Sequence, residues 1–220
     1  MVKKGIYFVI FYTLLFITLP AFADTAYVVK TIIDGDTIIL ENGKRVRIAY
    51  VDTPELEHKK RKRQYFSINA KNFIAKAVLG RKITLQQIVS IDRYKRTVAI
   101  VTLPDGRDLG TLLIRNGMGF VYPHGTKHSS YTNKLAQIQR EAINAKAGMW
   151  NNVTAYFKRA GNVVGNRRSK RFFTLKCKFS KEISKKNRVL FKSATDAFYN
   201  GYAPARVCKL WPEDTDIFVE

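Results

Sequence analysis

The sequence predicts an α+β protein: a five-stranded β-barrel with packed helices, followed by a small second α+β module. Three observations predict it. Between residues 26 and 103, short β-branched runs alternate with turn signals. One helical pattern interrupts the strands after the third, and two more follow the last. Past Trp150 the texture shifts to Asn, Gly and clustered basic residues before a new set of aromatics begins at Phe172.

Ala26–Ile33 is β-branched and apolar, and Thr37–Leu40 follows the tight Asp34-Gly35-Asp36. Asn42-Gly43 is a strong two-residue hairpin turn, and Lys44–Val51 returns as the third strand. Within it Val46 and Ile48 share one face and Arg45 and Arg47 the other, so Arg47 points away from the apolar side. Phe66, Ala70, Phe73, Ile74, Ala77 and Val78 recur at helical spacing, with Gly80 as a stop. Lys82–Ile88 and Thr97–Leu103 are the remaining strands, the second closed by Pro104-Asp105-Gly106. Leu109, Leu112 and Leu113 form a short helical face closed by Gly117. Leu135, Ile138, Ala142 and Ala145 line a third helix ended by Gly148. This order suits a Greek-key barrel of the OB type, and residues 24–150 are enough for a self-sufficient core.

Composition sets the context. The 220 residues carry 39 Lys+Arg against 17 Asp+Glu, a formal charge of +22 that calls for an anionic partner, nucleic acid or an anionic membrane surface. A hydrophobic fraction of 46% excludes a wholly disordered chain. At the start, Lys3 and Lys4, the apolar run Ile6 to Leu19 and the ending Ala21-Phe22-Ala23 have the layout of a signal peptide over 1–23, cleaved after Ala23. The alternative is a retained membrane anchor, for which the needed span of about 20 residues is only just available. Cleavage predicts a secreted or periplasmic protein with no stable membrane insertion. Residues 151–161 read as a linker, 162–211 as a small basic module and 212–220 as an acidic tail.

Three clusters carry chemistry: Asp34-Gly35-Asp36-Thr37, Arg47-x4-Asp52-Thr53-Pro54-Glu55 and Asp92-Arg93-Tyr94-Lys95-Arg96. Singly, each reads as a turn, a cap or a solvated pair. Together they fit phosphodiester cleavage, which needs a hard cation, a base for water and fixed positive charge where the phosphorane develops. Asp36 and Asp52 offer hard oxygen ligands suited to Ca²⁺, with Mg²⁺ the lesser candidate. Glu55 is the candidate base. Arg47 and Arg96 are planar forks that match phosphate oxygens.

In order and spacing these motifs resemble the thermonuclease (staphylococcal nuclease) family across about residues 26–150. The resemblance implies an OB-type barrel and Ca²⁺-dependent hydrolysis of DNA and RNA at the P–O5′ bond, leaving 3′-phosphate ends. It implies Arg47, Glu55 and Arg96 as catalytic residues, with Asp36, Asp52 and the carbonyl of Thr53 as calcium ligands. The Arg-Asn-Gly at 115–117 and Trp150 match later landmarks. Two departures stand out. Lys95 replaces a glycine, and if that position has a positive φ it costs about 1 kcal/mol and could shift Arg96. A nucleotide-stacking tyrosine falls on Tyr122, or on Pro123 with different gap placement.

Lys59-Lys60-Arg61-Lys62-Arg63 follows Glu55 closely, as a solvated loop or as a phosphate-tracking arm. His58, His124 and His128 show no metal-ligand spacing. The stretch Gly161 to Leu210 is similar to a small cysteine-cluster module of bacterial nucleases and of the zinc-binding, DNA-contacting domain of the Ada repair protein. Here Ala205 stands at one cysteine position and Thr174 where a histidine often occurs. Two thiolates cannot fill a four-coordinate zinc shell, so no zinc is expected. Export and the missing ligands together predict a Cys177–Cys208 disulfide. Residues 151–211 hold 15 Lys+Arg and 2 Asp+Glu, which favours an auxiliary DNA-holding module. The leading expectation is an exported monomeric Ca²⁺-dependent nuclease acting on DNA and RNA. Its rivals are a catalytically inactive OB-fold nucleic-acid-binding protein of the cell envelope and a cationic envelope protein. The five side chains Asp36, Arg47, Asp52, Glu55 and Arg96, all intact, favour the enzyme.

Overall fold

The computed structural model describes residues 25–57, 62–122, 130–159, 161–208 and 210–217, so residues 1–23, expected to be a signal peptide, lie outside the described residues. In chain order, β1 (Ala26–Ile32), β2 (Thr37–Leu40) and β3 (Arg45–Ile48) lead to the two-residue β4 (Val51–Asp52) and then α1 (Ser67–Val78). β5 (Lys82–Ile91) and β6 (Thr97–Thr102) follow, then α2 (Leu109–Arg115), the short β7 (Phe120–Val121) and α3 (Ser130–Asn144). The strands close a barrel in the order β1-β2-β3-β6-β5, with only β3 and β6 parallel. The Asn42-Gly43 turn is made as expected: Lys44 N donates to Asn42 Oδ1 at 3.0 Å, and Gly43 has φ 79°.

The expected third strand, Lys44–Val51, is broken. Tyr50 has φ 61° and ends the ladder, so Val51 and Asp52 leave the barrel and pair with β7. The break decides the site. In an unbroken strand, residues 47 and 52 are an odd number apart and face opposite sides. After the break, Arg47 Nη2 lies 2.8 Å from Asp52 Oδ1. The left-handed turn is held by burial of the Tyr50 ring and by Tyr122 N, which donates to Tyr50 O at 2.9 Å.

The linker expected at 151–161 is largely a helix, α4 (Trp150–Lys158), whose Trp150, Val153 and Phe157 are buried. Their 3-4 spacing is an apolar stripe that Asn151, Asn152 and Thr154 concealed in the sequence. Beyond it run β8 (Val163–Asn166), β9 (Arg171–Thr174), α5 (Lys178–Lys181), β10 (Arg188–Phe191), α6 (Ala194–Tyr199), β11 (Ala203–Pro204) and α7 (Asp214–Ile217). Four of these strands form a sheet in the order β10-β8-β9-β11. Cys177 and Cys208, the chain's only cysteines, are joined with a Cα separation of 5.9 Å.

Two interiors result. The barrel encloses chiefly aliphatic chains, among them Ile38, Leu40, Ile48, Ile74 and Leu113. The second interior is aromatic and is not confined to the second module: Phe172, Phe198 and Trp211 pack with Tyr65, Phe120 and Trp150 of the first. Buried Gln139 ties the two together, accepting from Val121 N at 2.7 Å and donating to Phe198 O at 2.6 Å. Among the described residues no helix is long and apolar enough to cross a membrane.

Candidate active site

The site begins in the turn between β1 and β2. Asp36 N donates to Asp34 Oδ1 at 3.1 Å, and Ile33 N to Thr37 O at 2.9 Å. A Cβ on Gly35 would sit 2.7 Å from both the Ala70 Cβ and the Thr53 Oγ1, so only glycine lets this turn lie against Thr53. Gly119 does the same on the other side, where a Cβ would stand 2.7 Å from Asp52 O. The two glycines clamp the Asp52-Thr53 backbone between the turn and β7.

Arg47, expected on the strand face away from Val46 and Ile48, is buried, 4% exposed. Its neighbour Arg45 is exposed. Burial of a guanidinium requires compensation, and Arg47 Nη1 meets Asp36 Oδ1 at 2.5 Å while Nη2 meets Asp52 Oδ1 and donates to Val51 O at 3.0 Å. Burial disfavours its charge, but Asp36 and Asp52 outweigh that and hold it protonated far above the ordinary range. Burial also opposes ionisation of Asp52, yet Arg206, Arg47 and Arg171 hold its carboxyl down to about 2. Asp34 goes the other way: burial, then the neighbouring Asp36, pushes it up to about 7. Glu55 is raised mainly by burial, against the pull of Arg206.

Arg96 comes from the β5–β6 turn. Lys95 has φ 60°, the strained conformation that replacement of a glycine implied. Asp92 holds the turn regardless, since its Oδ1 accepts from the backbone N of Tyr94 and of Arg96 at 2.9 and 3.0 Å. Asp92 Oδ2 then takes Arg96 Nε at 2.8 Å, and Arg96 Nη1 donates to Thr37 Oγ1 at 3.1 Å. Arg96 is therefore tied to the Asp34–Thr37 turn.

Arg47, Asp52, Glu55 and Arg96 line one cavity of about 800 Å³, and Asp34, Arg93 and Tyr94 border it as well. Asp36 and Thr53 are buried beside it, with Thr53 N 3.3 Å from Asp36 Oδ2.

Residues 45–152 match the family model described as staphylococcal nuclease homologue. A thermonuclease of Staphylococcus intermedius is 33% identical over 131 residues, 57% of this chain and 76% of the relative. The chain belongs to the staphylococcal nuclease family. A micrococcal nuclease of Shigella flexneri is 28% identical over 152 residues, covering 64% of this chain and 82% of its own. Protein ParB of Escherichia coli is 30% identical over 143 residues, 60% of this chain and 75% of the relative.

For this member of the staphylococcal nuclease family, the most informative residues lie beyond the matched region. Arg171 and Arg206 enter the cavity from the second unit. Arg206 Nη1 is 2.5 Å from Glu55 Oε1, and its Nη2 bonds Asp52 Oδ1. Arg171 Nη1 reaches Asp52 Oδ2 at 3.5 Å and Pro204 O at 3.0 Å, and its guanidinium lies 3.5 Å from the Tyr122 ring centroid. Tyr122 thus borders the cavity with Arg171 over its ring, and Pro123 lies outside the described residues. Sequence reasoning missed both arginines because nothing in Phe172-Phe173 or in Ala205-Arg206-Val207 separates them from surface charge. Asp34 was legible within Asp-Gly-Asp but had been given no role.

Of the basic run, Lys59, Lys60 and Arg61 lie outside the described residues. Lys62 Nζ sits 3.2 Å from Glu213 and Arg63 Nε 2.7 Å from Asp214, so both face the acidic tail.

The donor set is all oxygen, which suits a hard divalent cation. Asp34 is raised first by burial and then by Asp36, with Glu55 adding to it, so three carboxyl groups lie near one another at this edge of the cavity. Among the described residues no three acidic, imidazole or thiol groups form a ready-made cage, and the Arg206 guanidinium spans Asp52 and Glu55. The residues fit such a cation by chemistry once that guanidinium moves.

Proposed function

We propose that the protein is an exported calcium-dependent nuclease that hydrolyses phosphodiester bonds of DNA and RNA and leaves 3′-phosphate ends. It acts as a monomer, in the periplasm or outside the cell. One observation carries the reading: Arg47, Glu55 and Arg96, from three separate segments, converge with Asp52 on one cavity of nucleotide size. A shared fold alone would not place a base, two guanidinium forks and buried carboxylates together.

The chain's own groups divide the work. Glu55, ionised, accepts a proton from the attacking water as that water's oxygen bonds to phosphorus. The P–O5′ bond breaks on the opposite side, the departing 5′-oxygen takes a proton from solvent water, and Glu55 returns its own to solvent. Arg96, fixed by Asp92 and Thr37, offers its guanidinium to the phosphoryl oxygens as charge builds. Arg47, anchored by Asp36, Asp52 and Val51 O, presents positive charge that needs no reorganisation during the reaction. Calcium, when held by Asp36, Asp52 and Thr53, supplies Lewis-acid polarisation of a phosphoryl oxygen.

The mature protein incubated with plasmid DNA and with RNA tests this. Cleavage of both is expected in Ca²⁺, less in Mg²⁺ and none in EDTA. Binding without cleavage in every metal would overturn the enzyme reading in favour of a nucleic-acid-binding protein.

A further inference from the structure

Asp52 is the meeting point of the two units. Its side chain is 1% exposed, yet it takes guanidinium groups from Arg47 of the barrel and from Arg171 and Arg206 of the second sheet. The placement of the last two is built into that sheet. β11 runs parallel to β9, with Ala203 opposite Arg171 and Pro204 opposite Phe172. Ala205 N extends the ladder by donating to Phe172 O at 2.9 Å. Arg171 therefore opens one strand and Arg206 follows the end of its parallel neighbour, so the two side chains approach Asp52 from either end of this short ladder at the sheet edge. The turn carrying Arg206 ends at Cys208, which the disulfide fastens to Cys177.

Arg206 is not an ordinary surface ion pair. One of its terminal nitrogens is on the carboxylate proposed to hold a divalent cation, and the other is on the carboxylate proposed as base. A cation held at Asp52 would face the Arg206 charge at contact distance, and because buried Arg47 is locked on the same Oδ1 by Asp36 and Val51 O, the more exposed Arg206 is the guanidinium that yields. The Arg206 side chain is 41% exposed toward a cavity that must admit a phosphodiester, so a displaced guanidinium has an anion to meet.

We propose that Arg206 is a substrate-positioning residue supplied from outside the region that matches the nuclease family: it pairs with Asp52 and Glu55 when no cation is held, and passes to the substrate phosphate when Asp52 takes the cation. The inference rests on the nuclease reading of the same site. Its consequence is that Arg206 adds to the mutual support of calcium and nucleotide, because the cation frees its guanidinium from Asp52 and the phosphate receives it. Coupling of this kind is reciprocal by thermodynamic necessity.

Calorimetric titration of Ca²⁺ into the full chain tests it, with and without a nucleoside 3′,5′-bisphosphate, which carries phosphate but no internucleotide bond. For the unaltered protein, the bisphosphate tightens calcium binding by about 10-fold, within the usual range of such couplings. Arg206→Ala binds calcium about 10-fold more tightly on its own, and the bisphosphate then tightens it less than in the unaltered protein. Arg206→Lys keeps the charge but not the fork, and falls between the two. If Arg206→Ala binds calcium no more tightly than the unaltered protein, or keeps the full coupling, the inference is wrong while the nuclease reading stands. Absence of calcium binding in all variants and conditions would remove the calcium reading and this inference with it.

Discussion

The barrel interior is filled mainly by aliphatic chains between Val29 and Ile138, whereas the second interior is aromatic and draws on both halves of the chain. In the barrel, alternation along paired strands delivers Val46 and Ile48, or Ile38 and Leu40, to one side, so its core follows from local pattern. The second core depends on long-range meetings. Phe198 has its ring centroid 4.9 Å from that of Trp150, 5.1 Å from Phe172 and 5.6 Å from Phe120. The second unit is therefore joined to the barrel through a shared core. That shared core brings the β9–β11 edge of the sheet, with Arg171 and Arg206, to Asp52.

The largest expected effect strikes the junction itself. Asp52→Ala leaves Arg47 buried and short of a partner, with Arg171 and Arg206 also losing one. Breaking a buried pair from one side typically costs about 3–5 kcal/mol, to be read by urea denaturation. The pH dependence has a definite sign. With its carboxyl held down to about 2, Asp52 adds stability that is fully present above the ordinary carboxylate value and is lost as pH falls through 2. The acid limb of the stability profile should therefore be flatter in the variant. A variant as stable as the parent, with an unchanged acid limb, would mean that the two units do not depend on this carboxylate.

Next in size is a pair of core truncations that sets the interiors against each other. Phe198→Ala should cost about 3–5 kcal/mol and Leu40→Ala about 2–5 kcal/mol. Because Gln139 and the shared aromatics link the units, both variants should unfold in one transition. Tryptophan fluorescence reports the second core through Trp150 and Trp211, while far-UV circular dichroism reports the whole chain. Non-coincident curves for Phe198→Ala would show a separable second domain.

Much of the barrel and the site was legible in the sequence, for reasons that can be named. Asn42-Gly43, the helical stripe ending at Gly80 and the Asp-Gly-Asp turn are local devices, and their residues carry the geometry with them. The chemistry of Arg47, Asp52, Glu55 and Arg96 was legible because acidic and guanidinium groups in that order suit few tasks besides phosphate chemistry. The break at Tyr50 was not, since β-branched residues flank it and the left-handed turn is imposed by burial and by Tyr122 N. Nor was the helix at Trp150–Lys158, where Asn151 and Asn152 mimic a loop while its apolar stripe awaits a distant partner. Arg171 and Arg206 were the least legible, because only the tertiary meeting of sheet and barrel gives them a role.

The smallest effect concerns the Arg96 turn, which belongs wholly to the barrel. Lys95→Gly relieves a left-handed lysine and should stabilise the protein by about 1 kcal/mol, read as a higher midpoint of denaturation. Since Asp92 already fixes Arg96, cleavage should not change with it. A rise in activity would show that Lys95 holds Arg96 out of place.

The measurement closest to the central claim is the cleavage rate of Glu55→Gln beside the unaltered protein, on plasmid DNA in saturating Ca²⁺. Glutamine keeps the size of Glu55 and a carbonyl oxygen for Arg206 but cannot serve as a base. The rate should fall by about 10²–10⁴ while DNA binding persists. Equal cleavage by Glu55→Gln would contradict the account, because the proton would then be leaving water by another route.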